Sequence, residues 1–303
     1  MMKIATVFLW LCSSGVVTSF LVPDGKISVR RTAITSPLFV APSAEAVSLK
    51  KDLLESIQDL RDKQVRDGDF SIDFGVKGGE LNQTSRAPQK VSYYAISKDV
   101  GQAADKVMSV CDQLSEVCPI DEPTQFLGDK VNGTLAPLNG PWKLLFTTAA
   151  DASFSKNSTR GDAKIQNVVD AARGRITNVI DFAAKEDGTE PVLKQLNVVI
   201  QAVAAGPKRV ELTFRYAKVC LTKLFFIPIR WSLYIPVPGP FITRCIVLFY
   251  RFFSFGRKAA KQPPKAYFDV LYLDDDLRVH KTGEDNLFVQ ARESWKDARK
   301  YIA

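Results

Sequence analysis

The stretch Val210-Glu211-Leu212-Thr213-Phe214-Arg215-Tyr216 alternates without a break between apolar and polar side chains. A period of two places Val210, Leu212, Phe214 and Tyr216 on one face of an extended chain and Glu211, Thr213 and Arg215 on the other. One dry and one wet face is how an antiparallel sheet reads, because parallel strands are buried on both sides. The same period recurs in both directions from this stretch. It predicts strands over 142–148, 164–170, 175–183, 192–204, 209–217, 267–273, 277–281 and 286–292. Turn residues separate several of them: Glu186-Asp187-Gly188, Ala205-Gly206-Pro207 and Thr282-Gly283-Glu284-Asp285. Short strands joined by hairpins in chain order predict a mainly β domain, an antiparallel up-and-down barrel. A barrel of this size either fills itself with side chains or holds one small ligand.

Upstream of Trp142 the period is helical. Leu49, Leu53, Ile57 and Leu60 form one stripe over residues 49–63, with Ser48 placed to cap it. Val100, Ala104, Val107, Cys111, Leu114 and Cys118 recur at spacings of four and three, which predicts a helix over 98–117, stopped by Pro119 and Pro123. Packing on the chain's own domain accounts for that stripe without a partner. Residues 67–92 are Gly-rich and polar and read as a linker. A short helix is expected near 294–301.

The first residues read as an address. Lys3, the apolar run Ile4–Leu11 and the small residues Val17-Thr18-Ser19 have the layout of a signal peptide over 1–19. That run is too short to anchor permanently in a bilayer. Residues 20–47 follow with Phe20 first, then Lys26, Arg30 and Arg31 among Ser and Thr, with only Asp24 and Glu45 acidic. The pattern resembles the transit half of a bipartite presequence, in which an aromatic residue after signal cleavage directs cargo to plastids of secondary-endosymbiotic algae.

The net charge of +8 is concentrated. Residues 206–265 hold 12 Lys or Arg against one acid, Glu211, so the rest of the chain is mildly acidic. The same window holds 12 of the 31 aromatic residues, so the surface it suits is both anionic and greasy. Its centre runs Phe241-Ile242-Thr243-Arg244-Cys245-Ile246-Val247-Leu248-Phe249-Tyr250-Arg251-Phe252-Phe253-Ser254-Phe255, opened by Pro240 and closed by Gly256. On a helix, Arg244, Arg251 and Lys258 share one stripe and Phe241, Phe249, Phe252 and Phe253 lie away from it. That is the layout of a helix lying in a headgroup layer with snorkelling cations. Burying four such aromatic or aliphatic side chains is worth roughly 6–12 kcal/mol before ordering costs. Each cation adds about 1 kcal/mol at an anionic leaflet. A spanning helix would hold two arginines mid-membrane at considerable cost. Pro228, Pro236, Pro238 and Pro240 suggest an extended approach to this segment.

Several chemistries find no support. One histidine, His280, rules out a His-rich metal site and sits in an alternating strand with no nucleophile pattern, so it reads as an inert surface residue. Cys111 and Cys118, about 10 Å apart on one helix, are too distant for a disulfide. The triplet Asp274-Asp275-Asp276 reads as a solvated turn rather than a cation site or an acid–base pair. No cofactor, metal site or catalytic residue is expected, and nucleic acid does not suit the acidic remainder of the chain.

Four blocks resemble the plastid lipid-associated proteins, or fibrillins. They are Leu138–Thr148, with Gly140-Pro141-Trp142 at its start; Gly174–Phe182; Val210–Tyr216; and Tyr272-Leu273-Asp274-Asp275-Asp276-Leu277-Arg278-Val279 followed by Asn286-Leu287-Phe288-Val289. The Gly140-x-Trp142 spacing is also similar to lipocalins, whose Trp closes the barrel floor under a late Arg; here that Arg would be Arg278 or, failing it, Arg292. The resemblance spans 126–293, with 218–260 as a hydrophobic, basic insertion longer than the family pattern. It implies a lipocalin-like barrel behind N-terminal helices (48–125) and ahead of a short C-terminal helix (294–303). It also implies a plastid location at thylakoids or plastoglobules and the binding or coating of lipophilic molecules without catalysis. Trp142, Phe146, Ile180, Phe182, Phe214, Tyr216, Tyr272 and Arg278 are the cavity residues this implies. An enzyme or accessory factor of isoprenoid or lipid metabolism using the same cavity is the alternative, and a purely structural coat is a third.

Overall fold

The computed structural model describes residues 42–67, 90–149, 163–184, 188, 190–222, 231–236 and 266–302. The expected signal segment, most of the transit segment and the aromatic-basic run with Phe241, Arg244, Phe249, Arg251, Phe252, Phe253 and Lys258 lie outside the described residues.

Nine antiparallel strands carry the fold: β1 (Gly140–Thr147), β2 (Ala163–Asp170), β3 (Arg175–Phe182), β4 (Leu193–Ala204), β5 (Arg209–Leu221), β6 (Trp231–Pro236), β7 (Ala266–Leu273), β8 (Leu277–Thr282) and β9 (Leu287–Ala291). Their order is β4-β3-β2-β1-β9-β8-β7-β5-β6, and a further β4–β5 pairing closes the sheet into a ring. The architecture is the expected lipocalin-like barrel, with one strand more than the eight predicted. β5 runs on to Leu221, and its second half pairs with β6 from Tyr216↔Pro236 to Leu221↔Trp231. Trp231, Leu233 and Ile235 do alternate, but the prolines around them read as a non-strand approach. Pro236 is tolerated because it stands at the strand's end.

Alternation assigns the faces. Trp142, Val169, Ile176, Ile200, Val210, Val270 and Leu273 turn inward into one apolar cluster. Leu145, Phe146, Tyr272, Leu277, Val279, Val289 and Ala291 turn outward and pack under two helices.

The first helix, α1, spans Ala44–Asp67, longer at both ends than predicted. Its cap is Ser43, whose Oγ accepts from Ala46 N at 3.1 Å, rather than Ser48. The second, α2, is Lys98–Glu116 as its periodicity predicts, and Val100, Ala104, Val107, Cys111 and Leu114 are all buried against α1 and the barrel wall. Burial pushes the Cys111 thiol well up, so it is an inert packing group. Ser97 caps α2: its Oγ accepts from Val100 N at 3.1 Å and donates to Asp67 Oδ2 at 2.5 Å, tying the start of α2 to the end of α1. Replacing Ser97 by Ala is expected to cost about 1 kcal/mol in urea denaturation, the usual worth of an N-cap; an unchanged midpoint would count against this cap. At the C-terminus only Arg299–Ile302 is helical (α3), shorter than expected, while Trp295, Ala298 and Tyr301 pack into the helix-side cluster. Among the described residues, no helix is long and apolar enough to cross a membrane.

Candidate functional site

The barrel interior is built on Trp142. Its side chain is fully buried and its indole N–H donates to Leu138 O at 2.9 Å. Two guanidiniums address the indole: Arg292 at 4.1 Å and Arg278 at 5.2 Å from the ring. The two arginines left open as alternatives by the sequence therefore both meet the same tryptophan. Gly140 permits this approach. It has φ +108°, and a Cβ there would lie 2.6 Å from Arg292 Nη1. Arg292 also donates to Pro137 O at 3.2 Å. Ile120, Ala136, Leu138 and Ala171 close this end of the barrel.

Above the floor lies a polar belt. Arg278 Nε donates to Gln290 Oε1 at 2.9 Å, and Nη2 donates to Asn167 Oδ1 at 2.5 Å and to Gln290 Oε1. Asn167 in turn donates to Asn178 Oδ1 at 2.5 Å. Burial, with Arg292 as a second cation, pulls Arg278 down to about 9. Burial likewise lowers Arg292 to about 10, opposed by Asp275 and its two neighbours. Both stay charged at neutral pH. His280 is buried, with ring centroids 4.7 Å from Phe268 and 5.1 Å from Phe288. Desolvation and then the Arg278 charge hold its pKa well below the ordinary value, so it is neutral. This corrects the reading of His280 as a surface residue: two aromatic neighbours on inward positions draw it inside.

Farther up, the inner face is apolar and less covered. Ile165 faces Ile180, Ile180 faces Leu196 and Val198 faces Ala217 across the strands. Leu196 and Val198 join Val219, Ile235 and Leu233 in a separate cluster. Ile165, Ile180, Leu196 and Val198 are only half-buried, in contrast to the closed floor. The wall itself has a notch. One edge of β5 pairs with β7 through Leu212 and with β6 from Tyr216 onward, so neither strand covers residues 213–215 on that edge. Phe214, 42% exposed, sits at this notch, and Pro236 and Ala266, which bracket segment 237–265 in sequence, flank it.

Of the expected cavity residues, Trp142 and Arg278 meet at the floor, Ile180 and Phe182 share an inward strand face, and Phe214 lies opposite Ile200 at the notch. Phe146, Tyr216 and Tyr272 do not line the interior. Phe146 packs against Tyr93 at 6.0 Å, Tyr216 against Tyr234 at 5.9 Å, and Tyr272 donates to Asp274 Oδ2 at 2.7 Å on the helix side. Each stands just past a register shift: at Leu145 in β1, Arg215 in β5 and Leu271 in β7. One extra residue turns the following side chains to the opposite face. Asn167, Asn178 and Gln290, which the sequence reading passed over, sit at inward positions of their strands.

Within the acidic triplet Asp275 is exposed, as a solvated turn residue would be, and Asp276 is half-buried, but Asp274 departs from that reading. Asp274 is 1% exposed and receives Lys50 Nζ at 2.8 Å, the Tyr272 hydroxyl, Asp276 N at 2.8 Å and Leu277 N at 2.7 Å. Lys50 also reaches Asp276 at 2.9 Å and lies 4.7 Å from the Trp295 ring. These carboxylates anchor α1 to the β7–β8 turn. No group of side chains suited to hold a metal ion occurs among the described residues.

Comparison with curated proteins and with solved structures returned no match. The family model PAP_fibrillin matches residues 97–291, from the cap of α2 to the end of β9. The stretch includes the Trp142 floor, the notch and the acidic turn. This chain belongs to the plastid lipid-associated protein, or fibrillin, family.

Proposed function

We propose that this is a non-catalytic lipid-associated protein of the plastid, which holds a lipophilic molecule in its barrel and meets the lipid surface of thylakoids or plastoglobules. The observation that carries this reading is the inner face of the barrel. Ile165, Ile180, Leu196 and Val198 leave apolar surface half-covered inside a wall whose other end is sealed. Apolar side chains directed into a cup above a small polar belt suit carriage of an oily molecule. Family membership supports lipid partners in general. The carboxylates nearest the closing strands are engaged by Lys50 outside the barrel, which favours carriage over acid–base chemistry.

The second half of the proposal concerns segment 241–258. Its sequence pairs Phe241, Phe249, Phe252 and Phe253 with Arg244, Arg251 and Lys258, and it is bracketed by Pro236 and Ala266 at the notch beside Phe214. Flotation with vesicles containing phosphatidylglycerol tests it. Wild-type protein is expected to float. Changing Arg244, Arg251 and Lys258 together to Glu removes about 1 kcal/mol of attraction per cation and adds repulsion, so most of the bound fraction should be lost. Equal flotation of both proteins would remove the electrostatic part of the proposal. Mass spectrometry of small lipids that co-purify with the protein reads the cavity directly.

A further inference from the structure

Arg278 is 1% exposed, and the acceptors its guanidinium meets among the described residues are the neutral amides of Gln290 and Asn167. Its Nη1 has no hydrogen-bond partner, and among the described residues no carboxylate pairs with it. The charge beside it is that of Arg292, a second cation at the same indole. Two residues along β8, on the same inward face, His280 Nδ1 is also buried without a partner. Buried polar groups are normally satisfied, and a buried charge is normally paired. Two unpartnered nitrogens, one of them on an unneutralised guanidinium, describe a socket for an anionic oxygen.

Half-buried inward positions lead away from the socket. Asn167, bonded to Arg278, and Asn178, bonded to Asn167, are both half-buried on the inner face. The next inward positions on those strands are Ile165 and Ile180, and Leu196 and Val198 continue the apolar track on β4. Successive inward positions lie roughly 6.6–6.8 Å apart along a strand.

We infer that the barrel takes a long-chain carboxylate, such as a fatty acid, head first. A carboxylate oxygen accepts from Arg278 Nη1, His280 in its Nδ1–H tautomer offers a second donor, and the hydrocarbon chain runs along Ile165, Ile180, Leu196 and Val198. This rests on the lipid-carrying reading above and gives it a ligand class. Phosphate heads suit the socket less, because only one guanidinium nitrogen is free and the flanking amides are already engaged.

Calorimetry on the delipidated full chain with oleate and with methyl oleate tests it. Oleate should bind once per chain and at least about tenfold more tightly than the ester, the usual scale for a charge-assisted hydrogen bond in place of a neutral one. Arg278→Gln should abolish that preference, acid and ester then binding alike. Equal affinity of the wild-type protein for oleate and its ester would overturn the anionic socket while leaving lipid carriage standing. No binding of either would remove both. Should Arg278→Gln not fold, wild-type protein with carboxyl-13C oleate gives the answer. A carboxyl resonance that stays ionised below the ordinary carboxylate range, about 4, supports the guanidinium contact, and one that titrates at or above it refutes it.

Discussion

Asp274→Ala is expected to lower stability by about 3–5 kcal/mol, read as a fall in the urea midpoint, because it strips a buried cation of its main partner. Four donors converge on this carboxylate: Lys50 Nζ, the Tyr272 hydroxyl, and the backbone N–H groups of Asp276 and Leu277. The substitution leaves the lysine 6% exposed, with Asp276 alone to neutralise it. The tyrosine hydroxyl also loses its acceptor on the barrel wall, where burial, the largest cause, holds its pKa well up. The double variant Lys50→Met, Asp274→Asn removes the charge along with its partner and should recover part of the loss, since replacing both members of a buried pair is far less costly than breaking it. A loss below about 1 kcal/mol for Asp274→Ala would mean that the ion pair is as weak as a surface one. Protection of α1 amides against hydrogen exchange should fall with it, because Lys50 is the helix's polar tie to the turn.

Trp142→Ala should be at least as damaging. Deleting a fully buried indole costs about 3–5 kcal/mol in transfer and cavity terms. The two guanidiniums at 4.1 and 5.2 Å also lose a ring face worth about 0.5–2 kcal/mol each. Without that ring, Arg278 and Arg292, which already disfavour each other's charge, lose the π-face they share. For a domain of ordinary stability, about 5–15 kcal/mol, the loss leaves little margin. Trp142→Phe keeps a π-face and forfeits the N–H bond to Leu138 O, so its cost should be clearly smaller, about 1–3 kcal/mol. Thermal unfolding of the two variants separates the contributions; equal losses would show that the ring's contact with the arginines matters little.

The barrel was legible in the sequence because alternation is a strong signal wherever one face is dry. The strands of the expected hairpins fall within a few residues of their predicted limits. Legibility stopped at single-residue irregularities. The bulges at Leu145, Arg215 and Leu271 each insert one residue into an otherwise faithful period, and nothing in the composition of those positions marks them. Phe146, Tyr216 and Tyr272 were therefore assigned to the wrong side of the wall, while Trp142 and Phe214, which precede their bulges, were not. The buried ion pair was invisible for another reason. Lys50 and Asp274 are 224 residues apart, and a run of three aspartates has the composition of a turn whether or not a lysine from elsewhere covers it. Arg278 and Arg292 could not be ranked as partners of Trp142 because both are right: each brings its guanidinium to the same indole.

Every strand pairing in the ring joins neighbours in the chain except two, β5 with β7 and β1 with β9. The second of these joins the first strand to the last, the pairing of greatest sequence separation in the ring. The cluster under the helices lies over this join: Leu145 and Phe146 come from one side of it, and Leu287, Val289 and Ala291 from the other. The helical pair thus works as a buckle on a belt. It keeps water off the seam between the first strand and the last, and so the two amino-terminal helices are part of what holds the barrel closed.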